Sequence, residues 1–247
     1  AGKSCGFCHD AAAGKSELIV HDIKKANLGS LFLRPFSDHH SLLNQAQVFS
    51  IARKPNTVEI SLAVVIRSSS HSSLSRSAGA EIIPFSPLAD QSPDRAADAV
   101  WLPGGYPELH AGVLSSAQKF QGGLQTLAGR SVPIHGECGG YMVLGRGIED
   151  ARGVHHSMAG LLQLETSFAT RSLHLGYRRA RLLADCPLGS VGAEIMGHEF
   201  HYASTLAAAD DPLVACSDAA GGVMPEGGAR RGSVTGTFFH AIDRGQT

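Results

Sequence analysis

The sequence predicts an α/β protein, a mostly parallel sheet flanked by helices with additional strands in its C-terminal half. Three observations predict it. Between residues 58 and 144 short apolar runs alternate with a helical pattern, the order that yields parallel strands joined by crossover helices. From residue 161 onward the runs are strand-like and separated by Gly, Asp and Pro, so strands are added without matching helices. The 247 residues are 43% hydrophobic and only 17% charged, a composition that excludes disorder and allows one large domain with a sizeable core.

The elements follow in order. Residues 1–56 lack sustained periodicity and are expected to form a peripheral or partly disordered extension, leaving residues 57–247 as the folded domain. Residues 58–66 form an apolar run suited to a strand buried on both faces. Residues 68–77 are rich in serine, whose hydroxyls compete for backbone hydrogen bonds, so a weak connector is expected there. Strands are predicted at residues 80–85, 99–102 and 132–134. Between the last two, residues 107–128 suit one helix, with Pro107 in its first turn and Leu109, Val113, Ala117, Phe120 and Leu124 on one stripe. The later strands are expected at 161–169, 173–183, 193–204, 213–217 and 233–241.

Lys plus Arg number 21 and Asp plus Glu 22, so no basic field exists to attract nucleic acid or anionic lipid. The longest apolar runs fall short of the roughly 20 residues that cross a bilayer. Ala1-Gly2-Lys3-Ser4 has no apolar stretch behind it, so a secretory leader is expected to be absent or already removed. Cys138, Cys186 and Cys216 are scattered, as in a reduced compartment, and the protein is expected to be cytoplasmic. Cys5-Gly6-Phe7-Cys8-His9 has the spacing of a c-type haem attachment, but small and polar residues follow it, and it reads as a solvated tail.

The sharpest local feature is Gly136-Glu137-Cys138-Gly139-Gly140, between a strand and the helix-compatible Tyr141-Met142-Val143-Leu144. This is the Gly-x-nucleophile-x-Gly spacing of a sharp strand-to-helix turn that forces its central residue into a strained conformation. A thiol there sits at a helix start, where partial positive charge favours the thiolate, and Cys138 is the candidate nucleophile. Attack on an amide or ester carbonyl creates an oxyanion that needs backbone N–H donors. Gly139 follows the nucleophile directly. Pro103-Gly104-Gly105-Tyr106-Pro107 closes an earlier strand at the edge where parallel sheets place ligands, so Gly104 or Gly105 offers a second donor.

A base is also required, and thirteen His leave several choices. His198-Glu199-Phe200-His201-Tyr202 alternates, with His198, Phe200 and Tyr202 on one face of a strand and Glu199 and His201 on the other. His240 closes the last run, Gly236-Thr237-Phe238-Phe239-His240, at the strand end where a catalytic edge is expected. The pairs His198-x-x-His201 and His155-His156 lack a supporting Cys or carboxylate cluster, so no zinc site is expected.

Five stretches taken together resemble a known family. Residues 101–109 (Trp-Leu-Pro-Gly-Gly-Tyr-Pro-Glu-Leu), 135–142 (His-Gly-Glu-Cys-Gly-Gly-Tyr-Met), 173–178 (Leu-His-Leu-Gly-Tyr-Arg), 197–202 (Gly-His-Glu-Phe-His-Tyr) and 236–240 stand in the order found in the C-terminal glutamine amidotransferase domain of the cobyrinate or hydrogenobyrinate a,c-diamide synthases. The resemblance covers about residues 58–242. It implies a class I glutaminase with a flavodoxin-like sheet, in which Cys138 attacks the glutamine side-chain amide, forms a thioester and releases ammonia for the acetate side chains of a corrin. It favours His240 over His198 and His201 as the residue assisting Cys138, and makes Gly105 and Gly139 the oxyanion donors, with Gly104 and Tyr106 beside the substrate. The usual third carboxylate is poorly matched, which leaves Glu199 as the acid the sequence offers, with His198 and His201 as possible supports.

Family members also carry an ATP-dependent synthetase domain with a phosphate loop. Neither Gly2-Lys3-Ser4 nor Gly14-Lys15-Ser16 has a Gly at the required spacing before it, and His9 stands where the second would need one. The expectation is therefore an ammonia-producing half with no cofactor of its own, whose partners are glutamine and a separate synthetase that holds ATP, Mg²⁺ and the corrin acceptor. The alternative is a catalytically silent remnant that serves only to bind a partner, suggested by the absent phosphate loop and by the serine-rich residues 68–77, where the family resemblance implies a longer segment with an aromatic residue and an amphipathic helix.

Overall fold

The computed structural model describes residues 63–68 and 80–244. The expected N-terminal extension at residues 1–56, with its Cys5-Cys8-His9 motif and both Gly-Lys-Ser segments, lies outside the described residues, as does the serine-rich connector beyond Ser68. Among the described residues the strands form three sheets.

The first sheet has six strands. Its centre is parallel: β3 (Ala99–Leu102), β4 (Ile134–Glu137) and β13 (Val234–Thr237) lie side by side with Val100 and Val234 both opposite Ile134. All four residues of β3 and all four of β13 are buried, as expected of strands covered on both faces. The flanks are antiparallel. β1 (Ala63–Ser68) runs against both β3 and β2 (Ala80–Phe85), and β12 (Ala229–Arg231) against β13. The α/β class holds, but the expectation of a mostly parallel sheet is corrected at these edges. A parallel return needs a helix-sized crossover, and the serine-rich connection between β1 and β2 is a poor helix former.

The predicted helix over residues 107–128 is three pieces: a 3₁₀ turn at Pro107–Leu109, α1 (Ala111–Ser116) and α2 (Gln118–Gly129). The break at Ala117 is held from both sides. The Asp90 carboxylate accepts from the amides of Lys119 and Phe120 at 2.8 and 3.0 Å, capping α2, and the Gln121 side-chain amide donates to the Leu114 and Ser115 carbonyls in the last turn of α1. The break also moves the buried stripe. Ala111, Leu114, Ala117, Phe120, Leu124 and Leu127 face the core, whereas Leu109 and Val113 are more than half exposed.

The remaining strands build two further sheets. β5 (Gly147–Glu149), β6 (His155–Ser157), β7 (Leu164–Ser167) and β10 (Ser204–Ala208) form one, in the order β10-β7-β5-β6. β8 (His174–Leu182), β9 (Glu194–His201), β11 (Val214–Asp218) and β14 (Phe239–Arg244) form the other, in the order β11-β8-β9-β14. Two stretches read as single strands are each divided between sheets. Residues 193–204 become β9 and the start of β10, and residues 233–241 become β13 and β14, which part at the fully buried Phe238.

Two apolar clusters hold these layers. The larger joins α1, α2 and α3 (Gly139–Leu144) to the first sheet around Phe120, Ile134 and Tyr141. The smaller gathers Trp101 of β3 and Phe239 of β14 with Ala180, Leu182, Ile195 and Val214, fastening the third sheet to the first. No described helix is long and apolar enough to cross a membrane.

Candidate active site

β4 ends at Glu137, and the next residue, Cys138, has φ 50° and ψ −104° before α3 begins. Positive φ in a non-glycine residue is strained, and it is what the five-residue glycine motif predicted for its centre. The strain is fixed by surrounding bonds. The Cys138 amide donates to the Thr237 carbonyl at 2.7 Å, tying the turn to β13. Residue 139 must lack a side chain, because a Cβ there would lie 2.6 Å from the Gly105 carbonyl oxygen.

The same β13 supplies the partner of Cys138. Thr237 stands opposite Glu137 in the parallel register, then the chain turns through Phe238 into β14 and presents His240 as the second residue of the new strand. The sequence placed His240 at the far end of one strand; it sits instead near the start of the next, and the pivot at Phe238 aims it back over Glu137 and Cys138. His240 Nδ1–H donates to Glu137 Oε1 at 2.7 Å. Burial acts to lower the His240 pKa, but hydrogen bonds to Cys138 and Glu137, with the negative charges of both, outweigh it and hold the imidazolium to about 10.

Around this line the other predicted residues fall at three distances. Gly104 and Gly105 extend beyond the C-terminal end of β3, at the same sheet edge as Cys138. The Gly105 backbone touches Gly139, so the two expected oxyanion loops are in contact, and Tyr106 follows half-buried at the head of the 3₁₀ turn. A Cβ on Gly104 would reach 2.8 Å from His240 Cε1 and 3.6 Å from Cys138 Cβ. From β9, His198 stacks on His240 with ring centroids 4.8 Å apart and planes 12° from parallel. The thiol of Cys138 has the Phe200 carbonyl as an acceptor at 3.6 Å.

Glu199 and His201 do not join this line, which corrects the choice of Glu199 as the acid. Both are buried on the opposite face of β9. Glu199 accepts from Arg178 Nε at 2.8 Å and from His201 Nε2 at 2.9 Å. Burial acts to raise the Glu199 pKa, but the hydrogen bonds and charges of His201 and Arg178 lower it, so this carboxylate is already neutralised. His201 also faces the Ala203 carbonyl at 3.1 Å and is stacked between Phe238 and His174.

His174, Glu199 and His201 bring ligand-type atoms within 4.8 Å of one another, so a carboxylate does accompany the histidines that the sequence left unsupported. Two features argue against a cation there. Arg178 occupies Glu199, and the His174 and His201 rings lie 3° from parallel at 4.5 Å, so their lone pairs run in parallel planes rather than toward one point. Arg178, Glu199 and His201 instead form an ion-pair network that links β8 to β9, with His174 stacked on its edge.

Sequence reasoning missed Glu137. It stands in the motif itself, but strand alternation directs neighbouring side chains to opposite faces, which argues against pairing it with Cys138. The left-handed turn at Cys138 breaks that alternation, and only the unforeseen division of β13 from β14 brings His240 to Glu137. The signal available was a carboxylate at the end of the strand that carries the nucleophile.

Cys138, Cys186 and Cys216 are all free and buried. Burial followed by nearby carboxylate charge pushes the Cys216 thiol up to about 11. Of the three, only Cys138 sits beside a charged imidazole.

Comparison with known proteins identifies the family. The chain is 59% identical over 170 residues to the hydrogenobyrinate a,c-diamide synthase of Mesorhizobium japonicum, a match covering 68% of this chain and 38% of that protein. It is 56% identical over 171 residues to the protein of that name in Agrobacterium fabrum, covering 69% and 39%. With that of Rhodobacter capsulatus it is 56% identical over 167 residues, covering 68% and 38%. The match therefore spans under two fifths of the length of these relatives. A solved glutamine amidotransferase overlays 59% of this chain and 71% of its own at a TM-score of 0.39 and 13% identity, a likeness too slight to carry an argument. Residues 74–246 match the CobB/CobQ-like glutamine amidotransferase domain, and with Cys138, His240 and the two glycine loops assembled at one sheet edge, the chain belongs to that family.

Proposed function

We propose that this chain hydrolyses glutamine through Cys138, with His240 as acid and base and Glu137 as the carboxylate that orients it. The observation that carries the proposal is the continuous line from Glu137 through His240 to a cysteine held at positive φ. The Cys138 sulfur attacks the carboxamide carbon of the glutamine side chain, and the Gly105 and Gly139 amides stabilise the oxyanion. His240 gives its proton to the nitrogen, the C–N bond breaks, and ammonia leaves behind a glutamyl thioester. His240 then takes a proton from water as the water attacks the thioester, and the C–S bond breaks to release glutamate and restore the thiolate beside the imidazolium.

The relatives' name supports the destination of the ammonia. A hydrogenobyrinate a,c-diamide synthase turns two acetate side chains of a corrin into amides, and this reading gives the chain the nitrogen-supplying part of that reaction in cobalamin biosynthesis. ATP, Mg²⁺ and the corrin belong to a synthetase part that this domain, from about residue 57, serves as partner. Its three free thiols fit a reducing cytoplasm. Glutamate release from glutamine, measured alone and with a synthetase supplied, is the test. Activity that survives Cys138→Ser overturns the assignment of the nucleophile. A chain that a glutamine-mimicking electrophile leaves unlabelled at Cys138 is instead a binding module.

A further inference from the structure

We propose that His198 is a positioning residue for His240, a flat wall that fixes the ring plane in which one nitrogen meets Glu137 and the other meets Cys138. The inference rests on the glutaminase reading of the site and adds to it a residue that touches neither substrate nor sulfur.

The register carries the argument. His198 of β9 stands directly across from His240 of β14, and cross-strand partners on one face lie close enough for their rings to meet. They do meet, 4.8 Å apart and 12° from parallel. The need for such a wall follows from the imidazole itself. Its outer torsion is broad, so the bond to Glu137 alone lets the ring swing about Nδ1. The edge at Cε1 is confined by the Gly104 backbone, and the face is confined by His198. With both in place, rotation that lifts the second nitrogen from the sulfur is blocked.

The electrostatics suit this arrangement. The groups facing His198 are His240 from β14, Glu137 from the end of β4 and the Tyr177 phenol from β8, opposite it in register. Burial and then the charge of His240 push the His198 pKa down, against the pull of Glu137. The wall is uncharged while its neighbour holds the proton. On this account an aromatic ring is what the position requires.

The test follows labelling of Cys138 by a glutamine-mimicking diazoketone, read by intact mass and peptide mapping, across the pH range in which the fold persists. His198→Ala is expected to slow labelling by roughly tenfold or more and to change its pH profile, because a small misplacement of a catalytic group has large effects on rate. His198→Phe is expected to restore most of the rate and the wild-type profile. Should the alanine variant unfold, His198→Gln, which keeps bulk but has no ring, takes its place with the same expectation. Wild-type rate and profile in the folded Ala or Gln variant overturn the inference and leave the glutaminase reading standing, as does a Phe variant as impaired as Ala. A wild-type chain that does not label at Cys138 overturns both.

Discussion

Glu137 and His240 meet at 2.7 Å although 103 residues separate them, because β13 runs beside β4 and then turns at Phe238 into another sheet. Glu137 adds both a hydrogen bond and a negative charge to those raising the His240 pKa. Glu137→Gln keeps the shape and an acceptor but removes the charge. Glutamine hydrolysis should fall by about 10- to 100-fold with little change in KM, the scale of a weakened acid-base group. By NMR the His240 ring should lose its proton at a lower pH than in wild type. An unmoved titration removes Glu137 from the proposed triad.

The raised His240 pKa also sets a pH dependence of stability. The folded value of about 10 exceeds the ordinary 6.5, so the folded state holds this proton more tightly than the unfolded chain. The contribution is fully present below pH 6.5 and is lost as pH rises through about 10. The limiting slope for one proton is about 1.4 kcal/mol per pH unit. Chemical denaturation of wild type should therefore show a steeper loss of stability across this window than His240→Gln. Parallel curves for the two proteins would show that the imidazolium is not retained.

How much of this was legible in the sequence depended on what each signal encodes. The elbow at Cys138 was legible because glycine spacing reports backbone sterics directly, and the local motif contains all of its own cause. β3 and β8 were legible because each is long or apolar enough to show its pattern. The division of residues 233–241 at Phe238 was not, since Val-Thr-Gly-Thr-Phe-Phe-His reads as one continuous strand and only a sheet-to-sheet contact shows where it parts. Glu199 drew attention for a similar reason: a carboxylate between two histidines looks catalytic, and the Arg178 that neutralises it comes from a neighbouring strand.

Arg178 and Glu199 have side chains only 9% and 5% exposed, so breaking their pair leaves a charge buried without its partner. Arg178→Met should destabilise the domain by about 3–5 kcal/mol in urea unfolding, and adding Glu199→Leu should recover much of that loss. Glu199→Gln should leave the His240 titration in place while lowering stability. A His240 titration that moves with Glu199→Gln would return Glu199 to the catalytic line.

The break at Ala117 makes a separate prediction about the core. Leu114 is 1% exposed and Val113 51%, the reverse of what one unbroken helix would give from the sequence stripe. Leu114→Ala should cost about 2–5 kcal/mol, and Val113→Ala should change stability by about 0.5 kcal/mol or less. Asp90→Ala should cost about 1 kcal/mol by uncapping α2. Equal losses at Leu114 and Val113 would favour the unbroken helix.

Gly104 offers the most direct probe of how closely the site is fitted. A Cβ at this position would lie 2.8 Å from His240 Cε1, closer than real side chains approach, and 3.6 Å from Cys138 Cβ, an ordinary contact. Gly104 is not among the glycines with positive φ, so alanine suits its backbone and the strain falls on the imidazole. Cε1 lies between the two ring nitrogens, and displacing it disturbs the bond to Glu137 and the approach to the sulfur together. Gly104→Ala should therefore melt within a few degrees of wild type, yet label at Cys138 slower by up to about 100-fold, the scale set by a misplacement near 1 Å. Labelling at the wild-type rate would mean that His240 yields without consequence, and that its fixed orientation is not what activates the cysteine.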